Sequence, residues 1–216
     1  NEKKYQKALE MDVKAVMSDL VGTLTEIDPK TGKDFVPPVY IRKIRNILRR
    51  GIHFFINTTG EKRYPGQEED AFPELTPLDK YDNFYFKSAF NKDPKADPTI
   101  DPTTKKRLIL EEAADMLSIE IDQIFKMADN SGGADEKWLV GVGAVNVSGN
   151  KDNHTKNSDQ IDARKVTGGK SGPEAGFMVL EETLRRQRRR RTDQQKGRNT
   201  LTALFVLLGV SLVGVI

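Results

Sequence analysis

The sequence contains no cysteine. Disulfides, thiolate zinc sites and cysteine nucleophiles are therefore excluded. Histidine is almost as scarce, with only His53 and His154, far apart in the chain. That argues against a multi-histidine metal site, so any metal is expected to be a hard ion held by oxygen ligands. Residues 1–10 are polar and charged and lack the apolar segment of a secretory signal. No internal repeat is evident. Nor does one sign of charge dominate: the net charge is +3, and eight basic residues with one acid, Asp193, fall between Arg185 and Arg198. The remainder is slightly acidic, so the basicity belongs to this stretch and gives no reason to expect a nucleic-acid partner. Long apolar runs are missing until the last one, Leu201–Ile216.

What is present is a globular balance of 37% hydrophobic and 31% charged residues. The 216 residues are enough for one full core plus extra segments. Short apolar-rich runs at 13–17, 52–56 and 124–128 each end at polar or glycine-containing turns and read as buried strands. Further strands are expected at 83–86, 143–147 and 163–166. Helical spacing is seen over 39–50 (Ile41, Ile44, Ile47, Leu48) and over 104–117, where Leu108, Leu110, Ala113, Ala114 and Leu117 lie on or near the inner face. A short helix is expected at 134–139, and another runs from Pro173 to about Gln187 with proline at its first turn. Residues 25–38 are turn-rich, and 149–159 form a polar loop. Strands alternating with helices predict an α/β fold, a Rossmann-like parallel sheet with helices on both faces. In such sheets functional groups gather beyond the C-terminal strand ends. Those ends carry Asp19, Thr58-Thr59 and Asp129.

Each of these positions has a chemistry and a bland alternative. Asp19, followed by Leu20-Val21-Gly22-Thr23-Leu24, can attack phosphorus or bind a metal; a turn acid capping backbone N–H groups looks the same. Thr58, Thr59 and Gly60 can hold phosphate oxygens through hydroxyl and backbone N–H groups, or simply terminate a strand. Lys106 can neutralise phosphate charge, although Lys105 beside it is a rival and both could be solvated. Asp129 and Asp135 flank a Ser-Gly-Gly turn and suit octahedral Mg²⁺ with retained waters; an ordinary loop before a helix would read alike. Their order and their placement at strand ends carry more than any one of them.

Taken together the motifs resemble those of the haloacid-dehalogenase (HAD) superfamily, and within it the branch of sucrose-phosphate phosphatase and the Cof-type enzymes. Asp19–Leu24 resembles the first motif, DxDGTL, and Gly51–Gly60 (GIHFFINTTG) the second, favouring Thr59. Lys106 falls where the third-motif lysine stands, and Asp129–Leu139 resembles the fourth motif. Val142–Asn150 and Ala163–Leu184 are similar to the family's closing segments. The resemblance implies that Asp19 is the nucleophile of an aspartyl-phosphate, and that Thr58, Thr59, Gly60 and Lys106 bind the phosphoryl group. It implies too that Asp19, the Val21 carbonyl, Asp129 and Asp135 hold Mg²⁺, and that the substrate is phosphorylated.

The chain departs from that pattern in places. Val21 stands where the family has a second acid, which protonates the leaving oxygen. Such acid–base help contributes about 10²–10⁴-fold in rate. The departure implies a slow phosphatase, a phosphonate-type hydrolase, or an inactive HAD-like membrane-tethered binding module. Ala128 replaces a glycine, the Asp129–Asp135 spacing is longer than usual, making Asn130 or Ser131 alternative ligands, and Glu61 replaces an arginine. The interval from Thr59 to Lys106 leaves room only for a small cap or none, which favours a large or exposed substrate.

The tail suggests a membrane. Leu201–Ile216 is uncharged over 16 residues; as a helix it spans roughly 24 Å, slightly short of the hydrocarbon core of about 30 Å. Its position after the arginines predicts a C-terminal transmembrane helix with the HAD-like domain facing the cytoplasm and the arginines near anionic lipids. The expected organisation is an N-terminal extension (1–11), a HAD-like domain (12–187, with a cap-like insert at about 61–102), a basic stalk (188–199) and a single-pass anchor (200–216).

Overall fold

The computed structural model describes residues 1–60, 70–89, 100–129, 135, 137–149 and 160–213. Six strands form the main sheet: β1 (Ala15–Ser18), β4 (His53–Thr58), β5 (Phe84–Ser88), β6 (Ile124–Ala128), β7 (Ala144–Asn146) and β8 (Ile161–Asp162). Their order is β5-β4-β1-β6-β7-β8, and every pair is parallel. A separate antiparallel pair, β2 (Glu26–Ile27) and β3 (Asp34–Phe35), folds out of the segment after β1. The sheet is covered on both faces, and period-two alternation sorts its side chains. Val16, Phe54, Ile56, Phe125 and Met127 join the larger core with helix α2 (Pro38–Leu48) and helix α5 (Gly172–Val213). Ala15, Met17, Phe55, Ile124 and Ala128 join the smaller one with helix α3 (Pro102–Leu117).

Local chemistry sets the ends of α3. Asp101 accepts from the Thr104 N–H at 3.0 Å, Pro102 occupies the first turn, and Ser118 closes the helix at φ +51°. The buried stripe is Lys106, Leu110, Ala113 and Ala114, so the lysine sits in register with the apolar face. Leu108, expected on or near that face, is 46% exposed. The segment 163–166, expected as a strand, is instead the short helix α4 (Ala163–Val166). Asp162 accepts from the Arg164 N–H at 3.1 Å, and this cap ends β8 and starts the helix. The turn-rich 25–38 segment holds the β2–β3 hairpin, and residues 1–11 contain helix α1 (Glu2–Leu9), which buries Ala8 and Leu9. Between residues 61 and 102, Phe72, Leu75, Leu78 and Phe84 belong to the larger core, and β5 is the edge strand of the sheet.

The C-terminal transmembrane helix and the single-pass membrane localisation are corrected. Among the described residues no helix is long and apolar enough to cross a membrane. α5 is one continuous helix to Val213, and it carries charge as far as Arg198. Its uncharged part covers about 15 residues, roughly 22 Å, against a hydrocarbon core of about 30 Å. Residues 188–199 continue α5. Arg190 donates to the carbonyls of Leu9 and Met11 at 2.8 Å each, and Arg191 pairs with Asp12 at 2.7 Å.

Candidate active site

β1 delivers Asp19 to the C-terminal rim. The strand's register continues into the turn, where the Asp19 N–H donates to the Met127 carbonyl at 3.0 Å. The chain then reverses tightly, with Leu24 N–H donating to the Leu20 carbonyl at 2.8 Å. Gly22 sits at φ +76°, a region that favours glycine. A Cβ at this position would overlap the Asp129 carboxylate. The glycine therefore serves two purposes, the turn and the close approach of the β6 acid. Gly22 N–H donates to Thr25 Oγ1 at 3.0 Å, and Thr25 Oγ1 donates to Asp34 at 2.8 Å, tying the hairpin to the turn.

The centre of the site is a buried lysine between two acids. Lys106 is 2% exposed, and its Nζ donates to Asp19 Oδ1 and to Asp135 Oδ1, each at 2.7 Å. Trp138 Nε1 also donates to Asp135 Oδ1 at 2.7 Å, and the Lys106 ammonium lies 5.8 Å from the Trp138 ring centroid. Asn57 on β4 donates to the Lys106 carbonyl at 2.9 Å and so fixes α3 against the sheet. Carboxylate oxygens of Asp19, Asp129 and Asp135 all lie within 4.8 Å of one another.

Burial governs the electrostatics. It pushes Asp19 up to about 7, helped by the Asp135 charge and opposed by Lys106. It pushes Asp129 up to about 6, again with Asp135 adding to the shift. Burial also disfavours the Lys106 charge, but Asp19 and Asp135 outweigh it and hold the ammonium above its ordinary value. Three crowded carboxylates and one ammonium leave net negative charge in a dry place. The donor set is entirely oxygen and fits a hard divalent cation, which would supply the positive charge that one lysine does not.

The sequence-predicted residues thus converge in large part. Asp19, Lys106, Asp129 and Asp135 come together, and of the two candidate lysines it is Lys106 that enters the cluster while Lys105 does not. Thr58, Thr59 and Gly60 stand at the end of β4, the strand next to β1; Thr58 Oγ1 accepts from the Gly60 N–H at 3.1 Å. Thr59 is half-buried. Val21 lies within the turn and is 46% exposed. Asn130, Ser131 and Glu61 lie outside the described residues, as does His154. Trp138, read from the sequence as a core residue without a role, holds one of the acids. Its spacing of three residues after Asp135 was the available signal.

No family model matches the chain, and no curated protein matches it. Solved structures do. It is similar to a YrbI-family phosphatase structure from Pseudomonas syringae pv. phaseolica, with a TM-score of 0.55 at 12% identity, covering 87% of this chain and 92% of that one. A subfamily III A HAD hydrolase structure from Legionella pneumophila aligns with a TM-score of 0.51 at 16% identity, over 87% and 91% of the two chains. A 3-deoxy-D-manno-octulosonate 8-phosphate phosphatase from Moraxella catarrhalis, solved in complex with a magnesium ion, a phosphate ion and a KDO molecule, gives a TM-score of 0.50 at 16% identity over 84% and 92% of the two chains. The chain has the fold of the HAD superfamily hydrolases. These neighbours do not specify the sucrose-phosphatase or Cof branch. Within the HAD fold, the acid-lysine cluster occupies the C-terminal ends of β1 and β6, the central strand and its neighbour.

Proposed function

We propose that the chain is a Mg²⁺-dependent phosphohydrolase working through an aspartyl-phosphate on Asp19. The observation that carries the reading is the buried Lys106 ammonium, 2.7 Å from both Asp19 and Asp135, within the three-carboxylate cluster. Asp19, Asp129, Asp135 and the Val21 carbonyl would hold the cation. Bound there, Mg²⁺ supplies charge neutralisation between an anionic nucleophile and an anionic phosphate. Thr58, Thr59 and Gly60 would receive the phosphoryl oxygens at the neighbouring strand end. Lys106 favours ionised Asp19 and screens charge on the phosphoryl group.

In the first step an Asp19 oxygen attacks phosphorus, and the bond from phosphorus to the leaving oxygen breaks. The leaving oxygen takes its proton from solvent, since position 21 offers a half-exposed valine and no acid. In the second step water attacks the aspartyl-phosphate at phosphorus, releasing inorganic phosphate and restoring the Asp19 carboxylate. Without acid help, about 10²–10⁴-fold in rate is forgone for poor leaving groups, so substrates with stable leaving anions are expected to react best. Phosphorylated molecules of this type are the proposed substrates.

The test is hydrolysis of an aryl phosphate with and without Mg²⁺, in the wild type and Asp19→Asn. Metal-dependent turnover lost in the variant supports the reading. Absence of turnover in both, with phosphate still bound, favours a HAD-like binding module. In Val21→Asp, a rise in alkyl phosphate hydrolysis is expected. A phosphonate cleaved faster than either ester would favour the phosphonate-type hydrolase.

A further inference from the structure

The opposite rim of the sheet holds a second charged feature, remote from Asp19. A groove of about 740 Å³ runs between α5 and the segments that enter β1 and β4, including Lys14 and Arg50. A second hollow of about 450 Å³ adjoins it and shares Arg50 and Arg188. Arg188, Arg191 and Lys196 project from successive turns of one face of α5. Asp12 is the acid at one end and is shared between Lys14 at 3.0 Å and Arg191 at 2.7 Å. Glu181 at the other end pairs with Lys43. Arg50 and Arg188 form no ion pair or side-chain hydrogen bond among the described residues. Burial lowers the Arg50 pKa, and the charges of Arg188 and Arg191 lower it further. Three exposed guanidinium groups therefore line one groove, and among the described residues only Arg191 has a carboxylate partner, Asp12.

We propose that this groove binds a polyphosphate chain, with Arg50, Arg188 and Arg191 as its principal contacts. A guanidinium presents a planar fork of donors that matches phosphate oxygens two at a time. One phosphate group can satisfy several such forks at once, and a groove of about 740 Å³ has room for several linked groups. Among the described residues its lining has no aromatic side chain and so no stacking platform for a base, and the phosphates themselves are the recognised element. A free inorganic chain and the tail of a nucleotide offer the same chemistry. This site does not depend on the phosphohydrolase reading.

Calorimetric titration of the full chain in EDTA, with phosphate, pyrophosphate and tripolyphosphate, tests it. Wild type and Asp19→Asn are expected to bind alike, with affinity rising with chain length and falling with salt. Arg50→Ala/Arg188→Ala should weaken tripolyphosphate binding by about tenfold or more. Lys at both positions should restore only part of it. ATP binding more tightly than tripolyphosphate would support the site with a nucleotide as its source; equal or weaker binding would support the free chain. Unchanged affinity in the double Ala variant, loss of binding in Asp19→Asn, or a tetraglutamate peptide bound as tightly as tripolyphosphate would each overturn the proposal.

Discussion

The two rims of the sheet concentrate charge in opposite ways. At the C-terminal rim, Asp19, Asp135 and Lys106 are buried and bonded to one another. At the N-terminal rim, Arg50, Arg188 and Arg191 are exposed. Low local dielectric makes the first set strongly coupled, so each charge there is defined by its neighbours. Water and salt screen the second set, so each charge there adds little to stability and acts mainly on ligands. The contrast teaches that the acid rim is part of the fold's energetics, whereas the basic rim is nearly independent of them.

The largest effect should come from breaking the buried triad. Lys106→Met leaves two carboxylates without their cation and should cost about 3 kcal/mol or more in urea unfolding without metal. The sign of its pH dependence follows from the acids. Folded Asp19 titrates near 7, above its unfolded value, so its ionisation penalises folding increasingly as pH rises toward 7. Removing Lys106 raises that pKa further, so the variant should lose more stability at pH 8 than at pH 5. A loss independent of pH would mean that the ammonium's charge is not what matters.

Next comes Gly22→Ala, which tests geometry at the same rim. The added Cβ meets Asp129 and the φ of +76° is strained, so aryl phosphate turnover should fall about 100-fold while the fold survives. A variant with normal turnover would show that the approach of Asp129 to the turn is dispensable.

A smaller effect is expected at Lys126, a second buried lysine, fully buried on β6 with one side-chain hydrogen bond among the described residues, to the Ile121 carbonyl at 3.1 Å. Burial lowers its pKa to about 8, opposed by Asp122. A depressed lysine pKa means that protonation costs stability below 8, and that stability is gained as pH rises from 8 toward the unfolded value. Lys126→Met should therefore stabilise the protein at pH 7 by on the order of 2 kcal/mol, after allowing for the lost bond, and flatten stability between pH 8 and 10. Lys106 and Lys126 are both buried lysines, yet substitution should have opposite signs because Lys106 is bonded to two carboxylates, whereas among the described residues Lys126 is bonded to none. The smallest effect belongs to the basic rim: Arg50→Ala/Arg188→Ala should change unfolding free energy by less than about 0.5 kcal/mol.

The central strands and the acid rim were legible in the sequence because their signals are local. Runs such as residues 124–128 have both faces covered, and a polar residue such as Asp129 ends each one. Asp135 was legible as an acid, but its bonds to Trp138 and Lys106 are tertiary contacts that no local pattern announces. Leu108 misled because apolar character alone does not fix a helix face; Lys106, bonded to two acids, takes the inner stripe in its place. At 163–166 the capping carboxylate of Asp162 outweighed the strand preference of a short segment. The C-terminal apolar run suggests a membrane anchor through its hydropathy and its place after the arginines. Its continuity with the charged helix α5 and its limited length show otherwise among the described residues. The groove at the N-terminal rim was not legible, because it unites Lys14, Arg50 and α5 from three distant parts of the chain.

The most direct test of the account is to trap the phosphoryl group on the protein. Wild type mixed with Mg²⁺ and an aryl phosphate, quenched in acid and analysed by peptide mass spectrometry, should carry one phosphoryl group on Asp19. Asp19→Asn should carry none and turn over no substrate. Turnover that persists in Asp19→Asn, or a phosphoryl group found on another residue, would contradict the assignment of Asp19 as nucleophile.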